Sequence, residues 1–194
     1  MKYRITFYSY WRTGSGLGGQ SKDNIVLKDE NRLPIIPGKT LKGLIRDAYE
    51  ECGYQDSDEI FGHGIWDDED KEYEKEHKDL KNGKFYFKSA RLAGETASHL
   101  LNNRELIKEL YRTVTHVQLD EDKQALEHAL VKNEVCIPLT LEAEIIPIEN
   151  GIIRKEDKIP DDIASRLQKA LKMLKNIGEK RYRGFGRCEI TVIE

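Results

Sequence analysis

Apolar and polar residues alternate from Lys2 to Tyr10, with Tyr3, Ile5 and Phe7 on one side, and this period of two predicts a half-buried strand. A long loop follows, Trp11 to Gly38. The period then changes: Leu41, Leu44, Ile45, Ala48 and Cys52 recur at helical spacing, with Thr40 as the expected N-cap and Gly53 as the stop. Lys84 to Leu92 reads as a second strand through Phe85 and Phe87. Glu134 to Pro147 reads as a third through Leu139, Leu141, Ala143 and Ile145, and Arg187 to Ile193 as a fourth. The clearest helix, Asp161 to Ile177, precedes the last strand; Ile163, Leu167, Ala170, Leu171, Leu174 and Ile177 form its stripe, with Gly178 behind it.

The order is βαββαβ, which predicts an α+β, ferredoxin-like (RRM-like) fold in one domain spanning 1–194. Two insertions are expected. One, at about 54–82, is rich in Asp and Glu; the other, at about 98–133, carries helical patches at Arg104 to Tyr111 and Asp122 to Val131. The same layout underlies the common single-strand RNA module. That module's strand signature is not kept: Arg183-Gly184-Phe185-Gly186 matches its start, but Arg187-Cys188 follows. Fold alone does not give function.

Charge sharpens the picture through its distribution, because the net charge of −3 is unremarkable. Met1 to Arg46 holds nine basic residues against three acidic ones, and Lys175 to Arg187 five against one, while Asp47 to Leu174 is net −11. An acidic body with two basic segments fits a polyanion grip confined to one surface. Both basic segments also contain glycine turns. The first, through Ile36-Pro37-Gly38-Lys39-Thr40-Leu41-Lys42-Gly43 to Arg46, surrounds a helix start, where unpaired N–H groups favour an anion. The second runs from Gly178 to Arg187. Gly38, Lys39, Thr40, Lys42 and Arg46 are therefore candidates for holding the phosphates of a polyanion, joined by Arg181, Arg183, Gly184, Phe185, Gly186 and Arg187. Tyr182 or Phe185 could stack on a base, and Phe185 could equally be a core residue that fixes the loop.

Several chemistries fall away. Cys52, Cys136 and Cys188 are too widely spaced for a zinc site or a disulfide framework, and His63, His77, His99, His116 and His128 show no ligand spacing. Gly38-Lys39-Thr40 looks like the tail of a P-loop, but the glycine that motif requires is replaced by Leu33, and Pro37 interrupts the loop. Met1 leads directly into the alternating segment, with no secretory leader and no run long enough to span a membrane, so a cytoplasmic location is expected.

These motifs together resemble the RAMP proteins of CRISPR systems, and among them the subunit that repeats along the backbone of type III (Csm-like or Cmr-like) effector complexes. The resemblance covers most of the chain. Trp11-Arg12-Thr13-Gly14-Ser15-Gly16 is similar to an early W-H-x-G-S-G element, Ile36 to Arg46 to I-P-G-S-S-L-K-G-x-x-R, and Ile60-Phe61-Gly62 to a short F-G element. The strand Gly83 to Leu92 and the glycine loop Gly178 to Gly186 complete the match. Arg12 stands where the family has histidine, so no role of that imidazole carries over.

The resemblance implies partners: the guide RNA (crRNA) and complementary target RNA, further copies of this chain, and sibling RAMP subunits. It implies that the insertion near 98–133 forms a thumb that wedges into the guide-target duplex. It also implies that Asp23, in Asp23-Asn24-Ile25-Val26-Leu27-Lys28-Asp29, cuts the paired target RNA with a divalent metal ion, Mg or Mn. A loop carboxylate beside a phosphodiester could orient a metal or help deprotonate the adjacent 2′-OH. Read by itself, Lys22-Asp23-Asn24 is a good turn sequence, and Asp29 could equally cap a turn with Glu30, Asn31 and Arg32. A purely structural subunit that only binds guide or caps the filament is the alternative. A guide-processing endonuclease fits the Ile36 to Gly43 element less well.

Overall fold

The computed structural model describes residues 1–14, 24–62, 83–119, 125–149 and 151–193. Four strands make the centre of the molecule: β1 (Lys2–Phe7), β2 (Phe85–Phe87), β6 (Thr140–Glu149) and β8 (Cys188–Val192). They lie in the order β2-β6-β1-β8, every pair antiparallel, so the first strand is central although it is first in the chain. Short β3 (Arg91–Leu92) and β7 (Ile152–Ile153) also pair with β6.

One face of this sheet is the core. Tyr3, Ile5 and Phe7 of β1 point to it, beside Leu141, Ala143 and Ile145 of β6 and Cys188 and Ile190 of β8. Two helices cover that face: α1 (Gly38–Glu51) through Leu41, Ile45, Ala48 and Tyr49, and α4 (Asp161–Met173) through Leu167, Ala170 and Leu171. The period of two in the strands and of 3.6 in the helices thus meet in one apolar layer. The opposite face carries cross-strand polar pairs, Arg4 to Glu142 at 2.9 Å, Lys88 to Glu144 at 2.6 Å and Tyr8 to Glu189 at 2.8 Å, instead of a row of stacking aromatics.

The helix start differs from the expected one. α1 begins at Gly38 after Pro37, and Thr40 lies exposed within its first turn without capping. The hydroxyl that serves the helix end comes from across the fold: Ser89 Oγ accepts the Gly38 N–H at 3.1 Å. This close seating requires glycine, because a Cβ at Gly38 would run into the Phe87 carbonyl oxygen. The stop at Gly53 is as read, in the left-handed conformation at φ 87°. α4 ends at Met173, four residues early, with Leu174 already extended.

The second expected strand is two short ones, β2 and β3. The third is also two. Glu134 to Cys136 closes β5 (Ala125–Cys136), which pairs with β4 (Tyr111–Leu119) in a separate two-stranded hairpin; β6 starts afresh at Thr140 after Pro138. Of Asp122 to Val131, expected as helical, the first three residues lie outside the described residues, and Ala125 to Val131 is instead part of β5, because its cross-strand partners in β4 outweigh the helix-forming Ala and Leu. The patch at Arg104 is a 3-10 helix (Arg104–Leu110) that follows α3 (Gly94–Asn102). A short further helix, α2 (Ser57–Phe61), is bound to α1 by Arg46, as described below.

Candidate nucleic-acid interface

The two glycine segments differ in how they hold their cations. On α1, Lys39 and Thr40 are exposed and the first turn contains no acidic residue, so nothing local cancels the positive end of the helix. Lys42 is half-buried, and burial together with the Arg46 guanidinium holds its pKa below the ordinary lysine range. Arg46 is committed inward. Its Nε donates to Glu50 at 2.8 Å, Nη1 to the Gly62 carbonyl at 2.9 Å and Nη2 to Asp58 at 2.5 Å, which clamps α2 to α1. Sequence reading groups Arg46 with the phosphate contacts; the geometry gives it a structural task.

Beyond α4, the chain turns at Gly178 (φ 105°), passes a 3-10 turn (Arg181–Arg183), and returns through Gly184 (φ 82°) and Gly186 (φ 71°). Its base is stitched to the segment after β1: the Glu179 N–H donates to the Arg12 carbonyl at 2.9 Å and the Gly186 N–H to the Tyr10 carbonyl at 2.7 Å. Arg181 and Arg183 are exposed, and the Tyr182 side chain lies outside the described residues. Phe185 is half-buried and borders two cavities. One, about 330 Å³, is shared with exposed Tyr8 and Tyr10. Arg187 lies over the Tyr8 ring at 5.8 Å, so an aromatic and cationic edge borders the loop. A cavity of about 350 Å³ lies between the middle of α1, through Leu44, Asp47, Ala48 and Glu51, and the second basic segment, through Lys175 and Arg181; Gly38 to Lys42 do not line it.

Arg12, counted by sequence among the surface cations, is 4% exposed. Its Nη1 donates to Asn133 Oδ1 at 2.8 Å and its Nη2 pairs with Glu179. The Asn24 amide donates to the same Asn133 oxygen at 2.7 Å, Asn133 Nδ2 meets His116 Nδ1 at 2.9 Å, and His116 Nε2 meets Lys180 Nζ at 2.7 Å. This chain of polar groups, buried at Arg12 and Asn133 and half-buried at Asn24, His116 and Lys180, ties the hairpin, the loop after β1 and the C-terminal glycine loop together. Sequence reasoning did not find it. The signal was the alternation of Arg112, Val114 and His116 against Thr113, Thr115 and Val117, which puts His116 on the face it shares with Asn133.

Asp23 lies outside the described residues. Asn24, its neighbour, is held by β5, whose Glu134 N–H donates to the Asn24 carbonyl at 2.9 Å. Asp29 takes the turn role: its Oδ1 accepts the Asn31 and Leu33 N–H groups, each at 2.9 Å, and Oδ2 pairs with Arg91 at 2.8 Å. Past it, a groove of about 710 Å³ gathers Lys28, Arg32, Arg104, Lys108 and Arg112 around Glu30 and Glu134. Folding thus concentrates cations from a stretch that reads as mixed in charge. Among the described residues no three His, Cys, Asp or Glu side chains converge to hold a metal ion, and no helix is long and apolar enough to cross a membrane. The described residues therefore supply no ligand set for the expected metal.

Comparison with known proteins bears on these features as a whole. The family model of the RAMP superfamily matches residues 4–189. Among solved structures, a chain of the type III-B Cmr-beta complex bound to cognate target RNA matches with TM-score 0.66 at 13% identity, covering 97% of this chain and 95% of that one. A chain of the apo Cmr-beta complex matches with TM-score 0.67 at 14% identity, covering 100% and 96%. No curated protein matches.

Proposed function

The chain belongs to the RAMP superfamily, and from that premise we propose that it is a backbone subunit of a type III CRISPR effector complex that binds guide RNA and cleaves the paired target RNA. The observation that carries the binding half is that exposed cations stand at both glycine segments, Lys39 on α1 and Arg181 and Arg183 in the C-terminal loop, on a fold like that of subunits in the Cmr-beta complex, one structure of which is bound to target RNA. In this reading the order β2-β6-β1-β8 with α1 and α4 is a ferredoxin-like βαββαβ core. The hairpin β4–β5, with α3 and the 3-10 helix before it, is the thumb inserted in that core. Lys39, Thr40 and Lys42 hold guide phosphates at the α1 start, and Arg181 and Arg183 add to them from the other loop. Contacts of this kind read no sequence; pairing between guide and target supplies it, and the protein senses the duplex as shape.

Asp23 is the residue we assign to cleavage, on the family resemblance of its loop and on the anchoring of the next residue to the hairpin. A divalent metal ion would supply charge neutralisation at the scissile phosphate. Crossing of guide RNA from one copy of the chain to the next would make the subunit a repeating unit, and a head-to-tail contact suits a filament because it need not close.

The binding assignment predicts a salt dependence. Replacing Lys39, Arg181 and Arg183 together by glutamine should reduce the slope of log affinity against log salt by about 2, at about 0.7 per phosphate contact on a single strand. Guide-RNA affinity of the complex, measured between low and moderate salt, checks this. An unchanged slope would remove these three side chains from the phosphate contacts.

A further inference from the structure

The groove of about 710 Å³ beside the hairpin gathers Lys28, Arg32, Arg104, Lys108 and Arg112, and its carboxylates are already answered. Glu134 pairs with Lys28 at 2.8 Å and Glu30 meets Arg91 at 3.7 Å, while Arg112 is held by Glu109 at 3.4 Å. Three cations are left over: among the described residues the side chains of Arg32, Arg104 and Lys108 make no ion pair or hydrogen bond, and all three residues are exposed. Their backbone is fixed even so. Arg32 holds φ 65°, left-handed for a residue with a side chain; its N–H donates to the Asp29 carbonyl at 3.0 Å, and its carbonyl accepts the Tyr111 hydroxyl at 2.6 Å. Leu33, next in the chain, packs with Leu100 and Ile107 in a small apolar cluster of its own, and Ile107 lies between Arg104 and Lys108 in the 3-10 helix. That cluster sets the spacing of the two groove walls.

We propose that this groove holds the phosphates of a second RNA strand, the one that pairs with the guide. This rests on the guide-binding reading above and names the strand for a site that reading leaves unused. Two observations choose the occupant. First, the hairpin is a wall between two cationic hollows. Val114, His116 and Asn133 on one of its faces line a cavity of about 110 Å³ shared with Lys180 and Arg183, whereas Tyr111, Thr113 and Glu134 on the other face line the groove. Asn24 to Val26, bonded to Asn133 and Glu134, fills the β5 edge between them. A backbone lying along Arg181 and Arg183 meets one hollow only, so the cations in the other answer to a second one. The other observation is that the groove offers charge without an apolar anchor. Ile107 is 8% exposed and Lys28 Nζ covers the Tyr111 ring at 4.1 Å from its centroid, so a protein partner would find no exposed apolar side chain at its centre.

Unpaired guanidinium groups on fixed backbone suit phosphate oxygens, because the planar fork of Arg32 or Arg104 can take two oxygens of one phosphate, and Lys108 adds a point charge beside them. Such contacts read no sequence. They hold the second strand's backbone against the hairpin while pairing with the guide selects which strand that is.

The test is binding of target RNA to the guide-loaded complex, with a target complementary over a stretch short enough that pairing alone does not saturate binding. Arg32→Gln, Arg104→Gln and Lys108→Gln together should weaken target binding at low salt and reduce the slope of log affinity against log salt by about 2, at about 0.7 per phosphate contact on a single strand. Guide retention should stay at the wild-type level. Arg104→Gln with Lys108→Gln alone should reduce the slope by about 1.4 on the same scale; this pair serves if the Arg32 variant fails to assemble. Thiouridine placed in the target strand should crosslink between Arg104 and Thr113, and thiouridine in the guide should not. An unchanged target slope would overturn the assignment, and loss of a sibling subunit alongside it would make the groove a protein dock. Loss of guide in place of target, or guide crosslinks between Arg104 and Thr113, would overturn it as well. A wild-type complex that carries no guide RNA would overturn it together with the guide-binding reading.

Discussion

Replacing Asp23 by alanine in the assembled complex is expected to stop target-RNA cutting while guide and target RNA stay bound. The two outcomes separate because different parts of the chain carry them. Binding is assigned to Lys39, Lys42, Arg181 and Arg183, none of which depends on a carboxylate at position 23. The end of the Asp23 loop is held independently, through the Asn24 amide on Asn133, the Asn24 carbonyl on the Glu134 N–H, and the Val26 N–H on the Glu134 carboxylate at 3.2 Å. Losing the Asp23 side chain leaves all three contacts in place. A cut in rate of about 100-fold or more is the size expected when a positioned acid or base is removed. If Asp23 were only a turn residue, the alanine variant would melt slightly lower and cut at the wild-type rate. Product formation on a gel, beside target-RNA affinity measured on the same preparation, distinguishes the two.

The second large effect concerns the shape of the C-terminal loop. Gly184 and Gly186 both have positive φ, 82° and 71°, so alanine is strained at either. Their surroundings differ. A Cβ at Gly184 meets nothing within 4 Å, whereas at Gly186 it would run into the carbonyl oxygen of Ile177, whose own N–H donates to the Gly186 carbonyl at 2.9 Å. Backbone on both sides of that contact is fixed, since the Gly186 N–H is also bonded to Tyr10. Gly184→Ala should therefore cost about 1–2 kcal/mol, the left-handed penalty alone. Gly186→Ala should cost about 4 kcal/mol or more, in the range reserved for steric and strain failures. Thermal melting reads the difference as about 2–8 °C against about 8–16 °C or more, at about 2–4 °C per kcal/mol for a chain of this size. Equal shifts would mean that the loop adapts around Gly186 and does not rigidly frame Arg181 to Phe185.

What was legible in the sequence follows the physics of each element. β1, α1, α4 and β8 each bury one face in a common core, so their periods are regular and their positions can be read directly. The hairpin β4–β5 has no such simple signal. Its strands pair with each other in a separate two-stranded sheet, and Ala125 to Val131 contains residues that favour a helix until a partner strand is present. Site residues divide along the same line. Lys39, Arg181 and Arg183 could be found because exposed cations near glycine turns are a local pattern. Arg46 has the same local pattern, yet Asp58 and Gly62, which claim it, become neighbours only when α2 folds back on α1. Arg12 and His116 were hidden for the same reason: Asn133 joins them across more than a hundred residues of chain in one case and across a hairpin in the other.

The account centres on a guide-bound backbone subunit, and the most direct measurement is to tag the protein in its native host, purify it gently, and identify the accompanying RNA and proteins by sequencing and mass spectrometry. Short RNAs of repeat-spacer origin, recovered with sibling RAMP subunits and in a length pattern set by repeated copies of this chain, are the predicted result. Protein free of nucleic acid, or carrying random RNA with no such partners, would contradict it and assign the two basic glycine segments to another polyanion.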